Sequence, residues 1–137
     1  MGKKLFCFLI ILVSACSKSE IIKQDYSYND LESYLIKWND LFNQKESDYL
    51  VYIYDEKCGH CEDIKKEIIP YILNIRRTIF CINEPKDYVI GFDIESTIGV
   101  YSIESFFILG TPTLVEIKNH KVNKNIAGVS KIRDFIS

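Results

Sequence analysis

Apolar positions change rhythm several times along this chain, and each rhythm predicts an element. Residues 5–13 form one unbroken apolar run behind Lys3 and Lys4. Leu31, Tyr34, Leu35, Trp38, Leu41 and Phe42 then recur at helical spacing, which predicts a helix opening at Leu31 with Asp30 as its N-cap. Residues 49–54 read Tyr-Leu-Val-Tyr-Ile-Tyr, a run of β-formers suited to a buried central strand. Ile64, Ile68, Tyr71, Ile72 and Ile75 predict an amphipathic helix, and Pro70 inside it is expected to kink or interrupt it. Residues 78–82 and 113–117 read as further strands. Residues 121–126 read as the hairpin partner of the latter, across a turn at Asn119-His120. The least patterned stretch is 84–109, with one short helix expected near 94–101. Ser130 is expected to cap a closing helix over 130–136. Strands separated by helices predict an α/β fold, a central mixed sheet flanked by helices.

Length and composition narrow the class. A chain of 137 residues holds about one domain, and 47% hydrophobic with 26% charged residues is an ordinary globular mix. Seventeen Lys and Arg against 19 Asp and Glu leave a net charge of -2, so no nucleic-acid partner is expected. No apolar run approaches the ~18 residues that a membrane-spanning helix needs.

The N-terminal run is too short to span a bilayer but fits the core of a secretory signal, with the two lysines as its basic start. Small residues follow it, and Val13-Ser14-Ala15-Cys16 resembles the lipobox of bacterial lipoproteins. That resemblance implies cleavage before Cys16 and acylation of its sulfur. The expected layout is a signal at 1–15, a lipid-anchored tether at 16–29 and a folded domain at 30–137. An ordinary signal peptide that happens to contain Cys16 is the alternative. Either reading sends the domain outside the cytoplasm, where disulfides persist; acylation would add a membrane anchor on the extracytoplasmic side.

The cysteines carry the candidate chemistry. Cys7 leaves with the signal, and Cys81 sits in an apolar strand as a buried free thiol or, alternatively, a third redox thiol or an intermolecular bridge. Cys58-Gly59-His60-Cys61 lies between the predicted strand at 49–54 and the helix that follows. A thiol at a helix start faces unpaired backbone N–H groups and the positive end of the dipole, which lowers its pKa. His60 and Lys57 bring positive charge to the same place. Stabilising the thiolate makes the disulfide more oxidising, so His60 is expected to favour an oxidant or isomerase. An inert structural disulfide and half of a zinc site are the rival readings; no second Cys-x-x-Cys accompanies the pair, and no metal is expected. His120 is expected to be an exposed turn residue.

The segments 50–61, Gly110-Thr111-Pro112-Thr113-Leu114, and 118–122 followed by 128–131 resemble, in that order, the thioredoxin superfamily. The Cys-Gly-His-Cys tetrapeptide matches the active sites of protein disulfide isomerases. The resemblance covers about 30–137 and implies the thioredoxin fold. It implies that Cys58 exchanges disulfides, that Cys61 resolves the mixed disulfide, and that Thr111 and a cis Pro112 hold the substrate backbone. It implies no dissociable cofactor, protein thiol and disulfide substrates, a membrane redox partner that recycles the pair, and a monomer. An extracytoplasmic reductant fed by a membrane electron donor and a non-enzymatic surface binding protein are the alternatives. The chain departs from the family in four places. Tyr52 stands where a buried acid is usual, Lys57 where an aromatic is common, and Lys66 where a helix proline is common. The stretch 84–109 is longer than the usual connection, an insertion placed to shape the substrate surface.

Overall fold

The computed structural model describes residues 25–137. The apolar run at 5–13, the segment ending at Cys16 and the tether up to residue 24 lie outside the described residues. Four strands form one sheet: β1 (Tyr49–Tyr54), β2 (Ile79–Asn83), β3 (Thr113–Lys118) and β4 (Lys121–Ala127), ordered β2-β1-β3-β4. β1 pairs parallel with β2 and antiparallel with β3, and β3 pairs antiparallel with β4. Two α-helices, α1 (Gly59–Asn74) and α2 (Val129–Ile136), complete the frame. The expected mixed sheet flanked by helices is therefore present.

Alternation along β1 divides its six buried residues between two cores. Leu50, Tyr52 and Tyr54 pack with Cys81, Leu114, the buried stripe of α1 and Ile132 of α2. Tyr49, Val51 and Ile53 face Trp38, Leu41, Phe106 and Ile108 on the opposite side. The second layer is thus made of short turns and the 84–109 segment rather than a long helix. Tyr52 and Tyr54 share one face, as the period of two requires.

Several sequence expectations give way to tertiary contacts. The helix expected from Leu31 is instead a 3-10 helix at Tyr28–Tyr34 and a separate turn at Trp38–Asp40. The chain between them extends along the free edge of β2: Leu35 bridges to Cys81, and the Ile36 amide donates to the Cys81 carbonyl at 2.8 Å. Satisfying that edge outweighs continuing the helix. Ser27, not Asp30, is the N-cap; Asp30 stands three residues on and closes a capping box with it. Pro70 does not interrupt α1. The carbonyl it leaves without an amide partner belongs to Lys66, an exposed residue that water can satisfy. The helix expected near 94–101 is two 3-10 turns, Ile94–Thr97 and Ile103–Ser105, with Gly99 at φ 86° breaking the run between them. The cap of α2 is Gly128 rather than Ser130: its φ of 91° and its N–H bond to the Pro112 carbonyl at 3.0 Å fix the turn into the helix. The hairpin turn at Asn119-His120 matches expectation, both residues having positive φ (50° and 59°).

Candidate active site

The loop from β1 into α1 presents the cysteine pair. The Asp55 carboxylate accepts the Lys57 amide at 2.8 Å, and the Asp55 carbonyl accepts the Cys58 amide at 3.0 Å. This tight turn leaves Cys58 in extended backbone as the N-cap of α1, its carbonyl accepting the amides of Cys61 and Glu62. Cys58 is half-buried; Cys61, one turn on, is fully buried. Both are free thiols.

The two sulfurs sit in opposite electrostatic settings. Burial by itself would raise the Cys58 thiol. A side-chain hydrogen bond from Thr111 and the backbone N–H groups of Cys61 and His60 outweigh it and hold Cys58 below the ordinary thiol value. Burial pushes Cys61 up to about 12, against a smaller lowering influence from the Asp55 backbone. The more exposed sulfur is therefore the more readily ionised of the two and the buried one the less.

Thr111 reaches the site from the loop before β3. In the thiol form Cys58 Sγ donates to the Thr111 carbonyl at 3.3 Å. The Thr111-Pro112 peptide is cis, and Pro112 is buried. Thr113 Oγ1 donates to the Gly110 carbonyl at 2.6 Å and closes the loop. A cavity of about 180 Å³ borders it, lined by Leu109, Gly110, Thr111, Pro112, Ala127 and Gly128.

His60 is placed differently from the sequence reading. Its imidazole is exposed and lies 3.7 Å from the Asp63 carboxylate. What reaches the Cys58 sulfur from this residue is its backbone N–H. Lys57 extends to Glu84, 3.9 Å away. His120 is exposed on its turn. Cys81 is fully buried in β2, its thiol pushed up to about 12 by burial, as suits an apolar packing residue.

Tyrosines occupy the space behind Cys61. Tyr28 OH donates to the Cys61 carbonyl at 2.6 Å and lies 3.4 Å from Tyr52 OH. Tyr28 stacks on Tyr54 with ring centroids 4.2 Å apart, and Tyr54 on Tyr52 at 5.4 Å. Burial raises the phenols of Tyr28 and Tyr52 well above their ordinary value, so neither accepts a proton near neutral pH. The acids of the loop are engaged elsewhere, Asp55 with Lys57 N–H and Glu56 with the Asn83 amide at 2.9 Å. Tyr28 is the site residue that the periodicity missed, because it falls in the stretch read as tether. The Ser27-x-x-Asp30 capping pattern is the signal that marks it. Among the described residues no three His, Cys, Asp or Glu side chains converge as metal ligands.

A half-buried thiol at a helix head, a buried partner thiol one turn on and a cis-proline loop against the first sulfur form a dithiol site on an α/β sheet. The sequence matches no protein-family model and no curated protein. Among solved structures it aligns with mitochondrial thioredoxin 3 from Saccharomyces cerevisiae in its oxidized form, 14% identical, over 78% of this chain and 96% of that one, with a TM-score of 0.51. Thioredoxin f2 from Chlamydomonas reinhardtii also aligns, 15% identical over 74% of this chain and 88% of that one, with a TM-score of 0.49. The protein has the thioredoxin fold.

Proposed function

We propose that the protein is an extracytoplasmic, lipid-anchored thiol-disulfide oxidoreductase that exchanges disulfides with protein thiols. The observation that carries this is the asymmetry of the pair: Cys58 is lowered at the head of α1 while Cys61 is raised behind it. In the oxidising direction a substrate thiolate attacks Cys58 Sγ of the Cys58–Cys61 disulfide. The S–S bond breaks, Cys61 leaves as thiolate and takes a proton, and a mixed disulfide forms. A second substrate thiolate then attacks the substrate sulfur and expels Cys58 as thiolate. The substrate loses two electrons, the pair gains them, and a membrane redox partner reoxidises the pair. Every step runs in reverse with a substrate disulfide, Cys61 then resolving the mixed disulfide.

The test is capture of the intermediate. Full chain carrying Cys61→Ser, mixed with an unfolded disulfide-bearing protein, should accumulate a mixed disulfide through Cys58. The Cys58→Ser chain should accumulate none. Equal trapping by both variants, or by neither, contradicts the reading. The anchor rests on Val13-Ser14-Ala15-Cys16. A palmitate analogue fed to bacteria expressing the chain should label it, and Cys16→Ala should abolish the label; label retained in that variant removes the anchor.

A further inference from the structure

The carboxylates on and beside the turn that carries Cys58 all have partners. Asp55 accepts the Lys57 amide at 2.8 Å, and Glu62 pairs with Lys65 at 2.6 Å. Asp63 lies 3.7 Å from His60, and Glu84 lies 3.9 Å from Lys57. Glu56 accepts from the Asn83 carboxamide at 2.9 Å. Of these acids, only Glu56 is held by an uncharged side chain.

Holding it leaves two irregularities at the end of β2. A carboxylate has no hydrogen to give, so the Asn83 amide must turn its Nδ2 to Glu56. Its Oδ1 is then left buried, with no hydrogen-bond partner among the described residues. The next residue, Glu84, stands at φ 45°, in the left-handed region that side chains disfavour. Its N–H donates to the Tyr54 carbonyl at 2.9 Å and fixes this end of β2 against the end of β1. An unmade buried acceptor beside a strained residue is kept where the surroundings require that geometry, and here both serve the turn before Cys58.

The need for such a holder follows from the helix head. Amides there attract any nearby anion. Those of His60 and Cys61 face Cys58 Sγ. Glu56 stands two residues before Cys58, so their Cα atoms are at most about 7 Å apart. A released Glu56 carboxylate would compete for the same amides. In its held position its charge falls elsewhere. After burial and Cys81, Glu56 helps to raise the Tyr54 phenol, whereas the leading influences on Cys58 are burial, Thr111, Cys61 and His60.

We propose that Asn83 is a positioning residue: by holding the Glu56 carboxylate it keeps that charge off the head of α1 and leaves the His60 and Cys61 amides to the Cys58 sulfur. The inference rests on the oxidoreductase reading and adds to it the group that maintains the reactivity of the attacking sulfur.

The test follows alkylation of Cys58 by iodoacetamide against pH in the reduced full chain, together with the equilibrium of the pair with glutathione. Asn83→Ala should raise the alkylation midpoint by about one pH unit and make the disulfide about tenfold harder to reduce with glutathione. Asn83→Leu, of the same shape, should do the same and serves if the smaller side chain unfolds the chain. Glu56→Gln should leave the midpoint where it is, and combined with Asn83→Ala it should restore the midpoint of the unaltered chain. A purely structural role would lower stability without moving the midpoint, so an unmoved midpoint in a folded Asn83 variant overturns the proposal. A shift that survives in the double variant also overturns it, since no charge is then left to misplace. No exchange of the unaltered chain with glutathione removes the oxidoreductase reading and the proposal with it, whereas exchange with an unmoved midpoint removes the proposal alone.

Discussion

The Tyr28 hydroxyl donates to the carbonyl of Cys61 at 2.6 Å, tying the first turn of the fold to the helix that carries the cysteine pair. The bond is buried, and the same hydroxyl is the near neighbour of Tyr52 OH. A residue inside the stretch read as tether thus supports the helix of the cysteine pair from behind.

Tyr28→Phe keeps the stacked ring and removes the donor. Stability should fall by about 1–2 kcal/mol, read as a lower urea midpoint with an unchanged m-value. Tyr28→Ala also empties the stack on Tyr54 and should cost about 3–5 kcal/mol. No loss in Tyr28→Phe would mean that the hydrogen bond is irrelevant to the fold, and equal losses for the two variants would mean that the stacked ring adds nothing to it.

Thiol reactivity should follow the three environments. Iodoacetamide at pH 6.5 should modify Cys58 in the reduced chain and spare Cys61 and Cys81, whose thiols burial holds up at about 12. Mass spectrometry of the labelled chain reads this directly. Labelling of Cys61 ahead of Cys58 would reverse the assigned roles.

The reduced protein should lose stability as pH rises above about 9. Unfolding returns Cys61 and Cys81 to their ordinary value of 9.0, while the folded chain holds them near 12. Between those values the unfolded state carries fewer protons than the folded one, so each added pH unit favours unfolding. The raised phenols of Tyr28, Tyr52 and Tyr54 deepen the loss at the upper end. Thermal melts from pH 8 to 11 should show a falling midpoint, and Cys81→Ala should flatten the fall. A flat profile would contradict the burial of these groups.

Glu116 is the buried carboxylate at the other end of β3. Arg77 reaches it at 3.0 Å and Asn123 at 2.5 Å. Burial would raise its carboxyl, but the Asn123 and Arg77 bonds outweigh this and hold it below 4.5. Its contribution to stability is therefore present above about pH 4.5 and fades as pH falls through the folded value. Arg77→Leu should cost about 1–3 kcal/mol at pH 7 and move the acid limb of the stability curve upward. An unchanged acid limb would show that Arg77 does not hold the charge.

Much of this architecture was legible in the sequence because local patterns and tertiary packing agree there. The β-former run around Tyr52, the stripe Ile64, Ile68, Ile72 and the Asn119-His120 turn each specify one structure and adopt it. Legibility fails where a distant partner decides. Leu35 and Ile36 fit a helix by spacing but leave it to satisfy the edge of β2. Gly128 takes the cap from Ser130 because its amide bonds the loop at Pro112. At the site the pair and the cis-proline loop were readable from spacing and resemblance. The direction of the His60 side chain was not: its imidazole lies exposed, 3.7 Å from the Asp63 carboxylate one turn along the helix. Nor was Tyr28, whose role comes from a contact 33 residues away in sequence.

The central claim is that Cys58 and Cys61 form a redox-active pair, and its reduction potential tests this most directly. Full chain equilibrated in glutathione buffers and quenched with an alkylating reagent gives the oxidised fraction. With the Cys58 thiol held below its ordinary value, the account predicts a potential of about -120 to -180 mV, in the oxidising range. A value near about -270 mV would keep the redox pair but reverse its direction to that of a reductant fed by an electron donor. A pair that stays oxidised below about -300 mV would be a structural disulfide and would contradict the account.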